Sequence, residues 1–346
     1  MIAAQLGLFD HPPPLGALAR QQPSPPGPAL LPSMTWREQL YPPTRPQDVF
    51  TLDTARPFTF LLGIHKAKWL EDERLAEVPV LISRRTLAGR RRLPRAAGPY
   101  ALDSGGFTEL QIHGRWTLSV EDYIAEVRRI VDALGRDKLL WVAPQDWMCE
   151  PIVRQGGVVK PRRGKPIVFT GTGLPVLVHL LRTVENFVEL RRRAPDIPWM
   201  PVLQGWDLDD YFACADLYAH RGVDLFAERV VGVGSVCRRQ STIEAAQLFE
   251  VLYYMGLRLH AFGLKMDGIK HAAGSLVSSD SLAWSLHAVH RPPLEGHDLP
   301  GPGHPKGHKS CANCLEYALQ WRAAFLYDVF TAFHRLLVTD PWPAEA

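Results

Sequence analysis

Residues 100–107 read Tyr-Ala-Leu-Asp-Ser-Gly-Gly-Phe: three apolar positions in a row, then a carboxylate, a hydroxyl and two glycines. A short, unbroken apolar run of this kind is how a strand covered on both faces reads. Seven other runs share its form: Thr59–Ile64, Pro79–Ile82, Leu139–Ala143, Trp199–Gln204, Val230–Ser235, Leu259–Leu264 and Leu276–Asp280. Between several of them lie amphipathic segments of helical period, Val120–Leu134, Leu177–Arg193, Asp207–His220 and Thr242–Met255. Eight strands alternating with helices over roughly 220 residues fit a closed parallel barrel, for which about 250 residues is typical. An open doubly wound sheet would place a Gly-rich turn directly after its first strand, and Gly63-Ile64-His65-Lys66 is not one. The fold class expected is therefore α/β, a (β/α)8 TIM barrel.

Outward from this core, residues 1–46 carry 11 of the 30 prolines. Proline cannot donate a backbone hydrogen bond or continue a helix, so this stretch is expected to be a flexible arm preceding a barrel over 47–340. The connection after the fourth run, 151–173, is basic, Gly-rich and long for a βα loop. It leaves the end of a strand where barrels build their sites, and reads either as a substrate-contacting lid or as a surface insertion.

The 346 residues are 46% hydrophobic and 22% charged, enough apolar content for a sizeable core. A net charge of +3 says little, but its distribution says more: basic residues cluster at Arg84–Arg95, Lys160–Lys165, Arg191–Arg193 and Arg238–Arg239. Such clusters suit a phosphate backbone, or are simply solvated. Five cysteines, with one tight pair, do not form a secreted disulfide framework. The start of the chain lacks a signal-peptide pattern, and no apolar run of about 18 residues spans a bilayer, so a cytoplasmic protein without a membrane partner is expected.

The residues that close the runs carry the chemistry. They are Asp103 with Ser104, Gly105, Gly106 and Phe107; Gln145 and Asp146; Gln204 and Gly205; Gly232–Ser235; and Asp280 between Ser279 and Ser281. Taken singly, Asp103 or Asp280 could be a cap, and Gly232–Ser235 a tight exit from a strand. Taken together at one end of a barrel, three carboxylates would be costly to bury without a task. Glycines beside them let a flat ligand approach the backbone.

DSGGF at Asp103–Phe107 resembles the signature of the tRNA-guanine transglycosylase superfamily. APQDWMC (143–149), VLQG (202–205), VGVGS (231–235), HAFGL (260–264) and SSDSL (278–282) are similar to its later motifs, in the same order. GIHKAKWL (63–70) and Thr108-Glu109-Leu110 look closest to the DpdA-like branch, which installs 7-deazaguanines in DNA. The tRNA enzymes carry Gln where Thr108 stands. The resemblance implies a pentosyltransferase that replaces guanine in a nucleic acid with configuration retained. Asp280 would be the nucleophile and Asp103 the general acid/base. Asp146, Gln204, Gly205, Gly234 and Ser235 would hold the purine or 7-deazapurine base, with Ser104, Gly105, Gly106 and Phe107 supporting it. DNA is favoured over tRNA as the polymer, and a homodimer or a helper protein is compatible with either.

HPKGHKSCANC (304–314) carries Cys-x2-Cys with a His three residues earlier, a zinc-ligand spacing. Structural zinc is expected on His308, Cys311, Cys314 and His334, with His304 as a substitute; the alternative is a cysteine pair buried as small hydrophobes. The superfamily also holds zinc near its carboxyl terminus, but on three cysteines and one histidine. The competing functions are a non-catalytic nucleic-acid-binding relative, a free-nucleoside transglycosylase, and a metal-dependent barrel hydrolase. The last would need a His-x-His strand end, which is absent.

Overall fold

A computed structural model of the chain describes residues 58–160, 165–236, 243–263, 268–269, 272–300, 307 and 309–338. The proline-rich stretch 1–46, Arg238–Arg239, His304 and His308 lie outside them. Of His334, only its place in a helix is described.

The strands are β1 (Thr59–Ile64), β2 (Val80–Ser83), β3 (Tyr100–Asp103), β4 (Leu139–Val142), β5 (Gly157–Val159), β6 (Ile167–Phe169), β7 (Val202–Leu203), β8 (Val231–Val233), β9 (Leu259–Ala261) and β10 (Ser278–Ser281). Eight of them form one sheet in the order β4-β3-β2-β1-β10-β9-β8-β7, with every pairing parallel. The sheet curls until its edges meet. Val142 bridges Trp199 in parallel, its N–H donating to Pro198 (3.0 Å) and its carbonyl accepting from Met200 (2.9 Å). One set of alternate residues, Leu61, Leu81, Ala101, Trp141, Met200 and Val202, packs together with Ala143. The residues between them, including Leu62, Leu102 and Leu203, are also buried. Both faces being covered is why the runs are continuously apolar.

Several strands are shorter than the apolar runs. The 199–204 run narrows to Val202–Leu203 because Pro201 has no N–H for the ladder. The 230–235 run stops at Val233, since Ser235 has a left-handed φ of 57°. The helix Val120–Leu134 matches its periodic segment; Ser119 caps it by accepting from the Asp122 N–H, and Tyr123, Ile124, Val127, Ile130, Val131 and Leu134 form its buried stripe. The connection 151–173 is more structured than its composition suggests. A short helix, Pro151–Gln155, leads into the antiparallel hairpin β5–β6, whose Phe169 is buried with Leu110, Trp147 and Val153.

The basic clusters divide. Arg84 is buried, donating to the Ser104 carbonyl (3.0 Å), Glu126 (2.5 Å) and Glu109 (3.3 Å). Arg191 pairs with Glu228, and Arg192 and Arg193 both reach Glu189. Arg84 is committed within the core, while Arg191–Arg193 form ion pairs at the surface with side chains that stay partly exposed. Arg90–Arg92, Lys160 and Lys165 remain exposed.

Removing Arg84 would leave Glu109 buried with only Arg85 to neutralise it. Arg84→Met is expected to cost about 3 kcal/mol in chemical denaturation, the lower end of the range for breaking a buried ion pair.

Candidate active site and metal centre

In a parallel sheet every strand ends on the same rim, so the polar residues that close the runs are gathered there. Register makes the placement specific: Ser83 pairs with Asp103, Leu61 with Asp280, and His260 with both Gly232 and Ser278.

Asp103 closes β3 half-buried. Its Oδ2 accepts the Gly105 N–H at 2.9 Å, so it does cap a turn, as one reading of the sequence had it. Gly105 has φ 74°, and a Cβ there would lie 2.7 Å from the Arg85 side chain. Burial raises the Asp103 pKa above the ordinary carboxylate range. The Gly105 N–H opposes that rise, and the Asp280 charge adds to it.

Asp146 is buried four residues beyond β4. Ser104 Oγ donates to its Oδ1 (3.2 Å) and Gln204 Nε2 to its Oδ2 (2.7 Å). Ser104 also accepts the Gly106 N–H, tying the DSGGF loop to Asp146. Burial, then the charge of Asp103, pushes Asp146 up to about 7.

The chain of bonds continues. Gln204 Oε1 accepts from Ser235 Oγ at 2.6 Å; Ser235 Oγ also lies 3.0 Å from Glu150 Oε2 and accepts the Cys149 N–H at 2.7 Å. These contacts hold Ser235 in its left-handed conformation, a local strain of the kind found at functional sites. Gly234 lies against the same amide, where a Cβ would be 2.2 Å from Gln204 Nε2. Its N–H donates to Leu203 and its carbonyl accepts from Tyr211. Gly205 is buried beside Tyr211, and the Phe107 ring meets Phe169 edge-on at 5.7 Å.

Asp280 is buried in β10, its Oδ1 accepting the Gly263 N–H at 2.9 Å. Asp103, Asp146, Gln204, Ser235 and Asp280 thus share one rim. Glu150 and His260 belong with them and were not singled out in the sequence. Glu150 directly follows Cys149 in QDWMCE, and His260 opens HAFGL, but neither spacing reveals a contact across the sheet.

A second cluster lies near the last helix, Leu315–Val338. Ligand atoms of His297, Cys311 and Cys314 lie within 4.8 Å of one another. His297 Nδ1 is 3.6 Å from each cysteine Sγ. With Zn–S near 2.3 Å and Zn–N near 2.0–2.1 Å, a tetrahedron has an N···S edge of about 3.6 Å, so the set fits zinc. The other ring nitrogen, Nε2, lies 3.3 Å from Glu316 Oε2, the kind of carboxylate partner that orients a ligating histidine. Cys311 and Cys314 were expected as ligands and His297 was not; it lies 14 residues before Cys311 in a segment without ligand spacing. Cys311–Cys314 also sits against the first strand's exit, where His65 and Lys66 bond Asn313. No helix among the described residues is long and apolar enough to cross a membrane.

The family described as DpdA, DeoxyPurine in DNA protein A, matches residues 57–346. No curated protein matches the chain.

A carboxyl with a raised pKa keeps its proton in the folded state after the unfolded state has lost it. For Asp146 that stability is present near pH 4 and is lost as pH rises through about 7. Between pH 5 and pH 8, the wild type is expected to lose about 2–3 kcal/mol more than Asp146→Asn in denaturant titrations.

Proposed function

The chain belongs to the DpdA family, and from that premise we propose that it is a base-exchange pentosyltransferase, replacing guanine in DNA with a 7-deazaguanine. The observation that carries this reading is the meeting of Asp103, Asp146 and Asp280 with Gln204 and Ser235 on one rim of the parallel sheet.

The chemistry is a double displacement. An Asp280 oxygen attacks C1′ of the target nucleotide as the C1′–N9 bond breaks. The bonding pair goes to guanine, which takes a proton from Asp103. The raised pKa of Asp103 suits it to hold that proton. In the second half, Asp103 takes the proton of the incoming base, whose ring nitrogen attacks C1′ and releases Asp280. Retention of configuration follows from two inversions.

Asp146 accepts hydrogen bonds from the purine's N–H edge. Gln204, with one N–H on Asp146, has a second for the carbonyl edge. Gly205, Gly234 and Ser235 form the wall against which the flat ring lies, and Ser104, Gly105, Gly106 and Phe107 hold the loop that carries Asp103. To enter, the nucleotide leaves its stack at a cost of a few kcal/mol, offset by backbone contacts. The exposed cations Lys160, Lys165 and Arg90–Arg92 are suited to those contacts.

Zinc would be held by His297, Cys311 and Cys314, with His308 completing the set. Its part is structural, joining the start of the last helix to the exit of β1. The barrel over 47–340 is proposed to act as one domain behind the arm 1–46.

Exchange of radiolabelled guanine into bulk DNA, with bulk tRNA in parallel, tests the reading. Label is expected to enter DNA and to be lost by at least about 1,000-fold in Asp280→Asn, as for removal of a nucleophile. Label entering tRNA alone would reassign the polymer. Label entering neither, with 7-deazaguanine precursors also tried, would favour a binding protein.

Metal analysis checks the second site: about one zinc per chain, falling severalfold in Cys311→Ser, with a lower melting temperature after chelation.

A further inference from the structure

His260 is fully buried within the curled sheet, its ring edge-on to Trp141 and Phe262, each with centroids 4.8 Å away. Its Nδ1 lies 2.9 Å from Ser278 Oγ and its Nε2 3.3 Å from Asp280 Oδ1. Among the described residues, Nε2 is the one buried side-chain nitrogen or oxygen without a hydrogen bond. The 3.3 Å approach to Asp280 is close but not aligned as one.

Register explains the juxtaposition. His260 pairs with Ser278, and Asp280 stands two residues further along β10, on the same face. The neighbours also choose the tautomer. With the Ser278 hydroxyl donating to Nδ1, the ring hydrogen sits on Nε2 and faces Asp280. The other tautomer would set two lone pairs against each other at 3.3 Å. An imidazole among aromatic rings is costly to leave unpaired, so a buried donor aimed at a carboxylate points to a state in which the bond closes. Active-site hydrogen bonds are often slack in a free enzyme and tighten around the reacting group.

We infer that His260 is a positioning residue for base exchange, its Nε2–H closing onto Asp280 Oδ1 beside the Gly263 N–H and leaving Oδ2 to attack C1′. The inference rests on the transglycosylase reading. Two donors on Oδ1 fix the carboxylate's rotation, so that Oδ2 forms the bond to C1′ as the base departs with the C1′–N9 pair. When the incoming base displaces Asp280, the pair from the broken C1′–O bond returns to the carboxylate, and the same donors stabilise that charge.

The test uses the full chain and three substitutions. His260→Phe fills the volume without a donor, His260→Gln restores a side-chain N–H, and Ser278→Ala releases the tautomer. Each is measured for melting temperature, for kcat and KM of guanine exchange into DNA, and for protein covalently joined to DNA after a denaturing quench. For His260→Phe, kcat is expected to fall about 100-fold with KM within about threefold of wild type, as misplacement of a reacting group does. The covalent adduct should fall with kcat. His260→Gln should recover at least about tenfold, and Ser278→Ala should lie between the two.

Wild-type kcat in His260→Phe, or a loss confined to KM, overturns the inference. So does His260→Gln no better than His260→Phe when both are folded. Should His260→Phe fail to fold, the comparison of His260→Gln with Ser278→Ala decides: both near wild-type kcat also overturns it. A wild-type protein that exchanges no base in any polymer fails earlier, with the proposed function itself, and the role of His260 falls with it.

Discussion

Three carboxylates on one rim of a parallel sheet repel one another, and hydrogen-bond donors around them are what let the fold keep them there. Asp103 takes the Gly105 N–H, Asp146 takes Ser104 and Gln204, and Asp280 takes the Gly263 N–H. Asp103 and Asp146 both bind their protons more tightly than free carboxylates do, chiefly because they are buried, with a neighbouring carboxylate adding to the rise. Under the proposed base exchange, the raised carboxyl of Asp103 would hold a proton beside the carboxylate that attacks, the separation of roles such chemistry requires.

The donors must themselves be held. Arg84 donates to the Ser104 carbonyl while paired with Glu109 and Glu126, so the loop carrying Asp103 is fixed by a largely buried ion cluster. Arg85 and Thr117 complete Glu109. On the other side, Ser235 is held in a strained conformation by three partners, and through Gln204 it fixes the direction of the amide that faces Asp146. Geometry at the rim is thus set in part by Arg84, Glu109 and Glu126, which stand behind the residues proposed to meet the base.

The surface charges follow a different logic. Clusters that look equivalent in the sequence have different partners in space. Arg191–Arg193 find glutamates on their own helix and in the loop before β8, whereas Lys160 and Lys165 ride on the hairpin beyond β4, at the end of the sheet where the carboxylates lie. Lys160 and Lys165 are exposed and placed to meet a polyanion entering the rim.

The alternation of apolar runs with amphipathic segments was enough to give the parallel sheet. Each run must be covered on both faces, and only helices packed outside a curled sheet can do this. Parallelism in turn sends every polar strand end to one rim, which is why Asp103, Asp146, Gln204, Ser235 and Asp280 could be grouped from the sequence. Cys311 and Cys314 were legible too, because two ligands within one turn of chain carry their own spacing. His297, Glu150 and His260 were not. Each meets its partners across a long loop or a neighbouring strand, and contact there depends on register and curl, which no local pattern encodes. The burial of Arg84 and the surface pairing of Arg191–Arg193 were decided in the same way. A charge in the sequence has a sign, and only the folded chain gives it a partner.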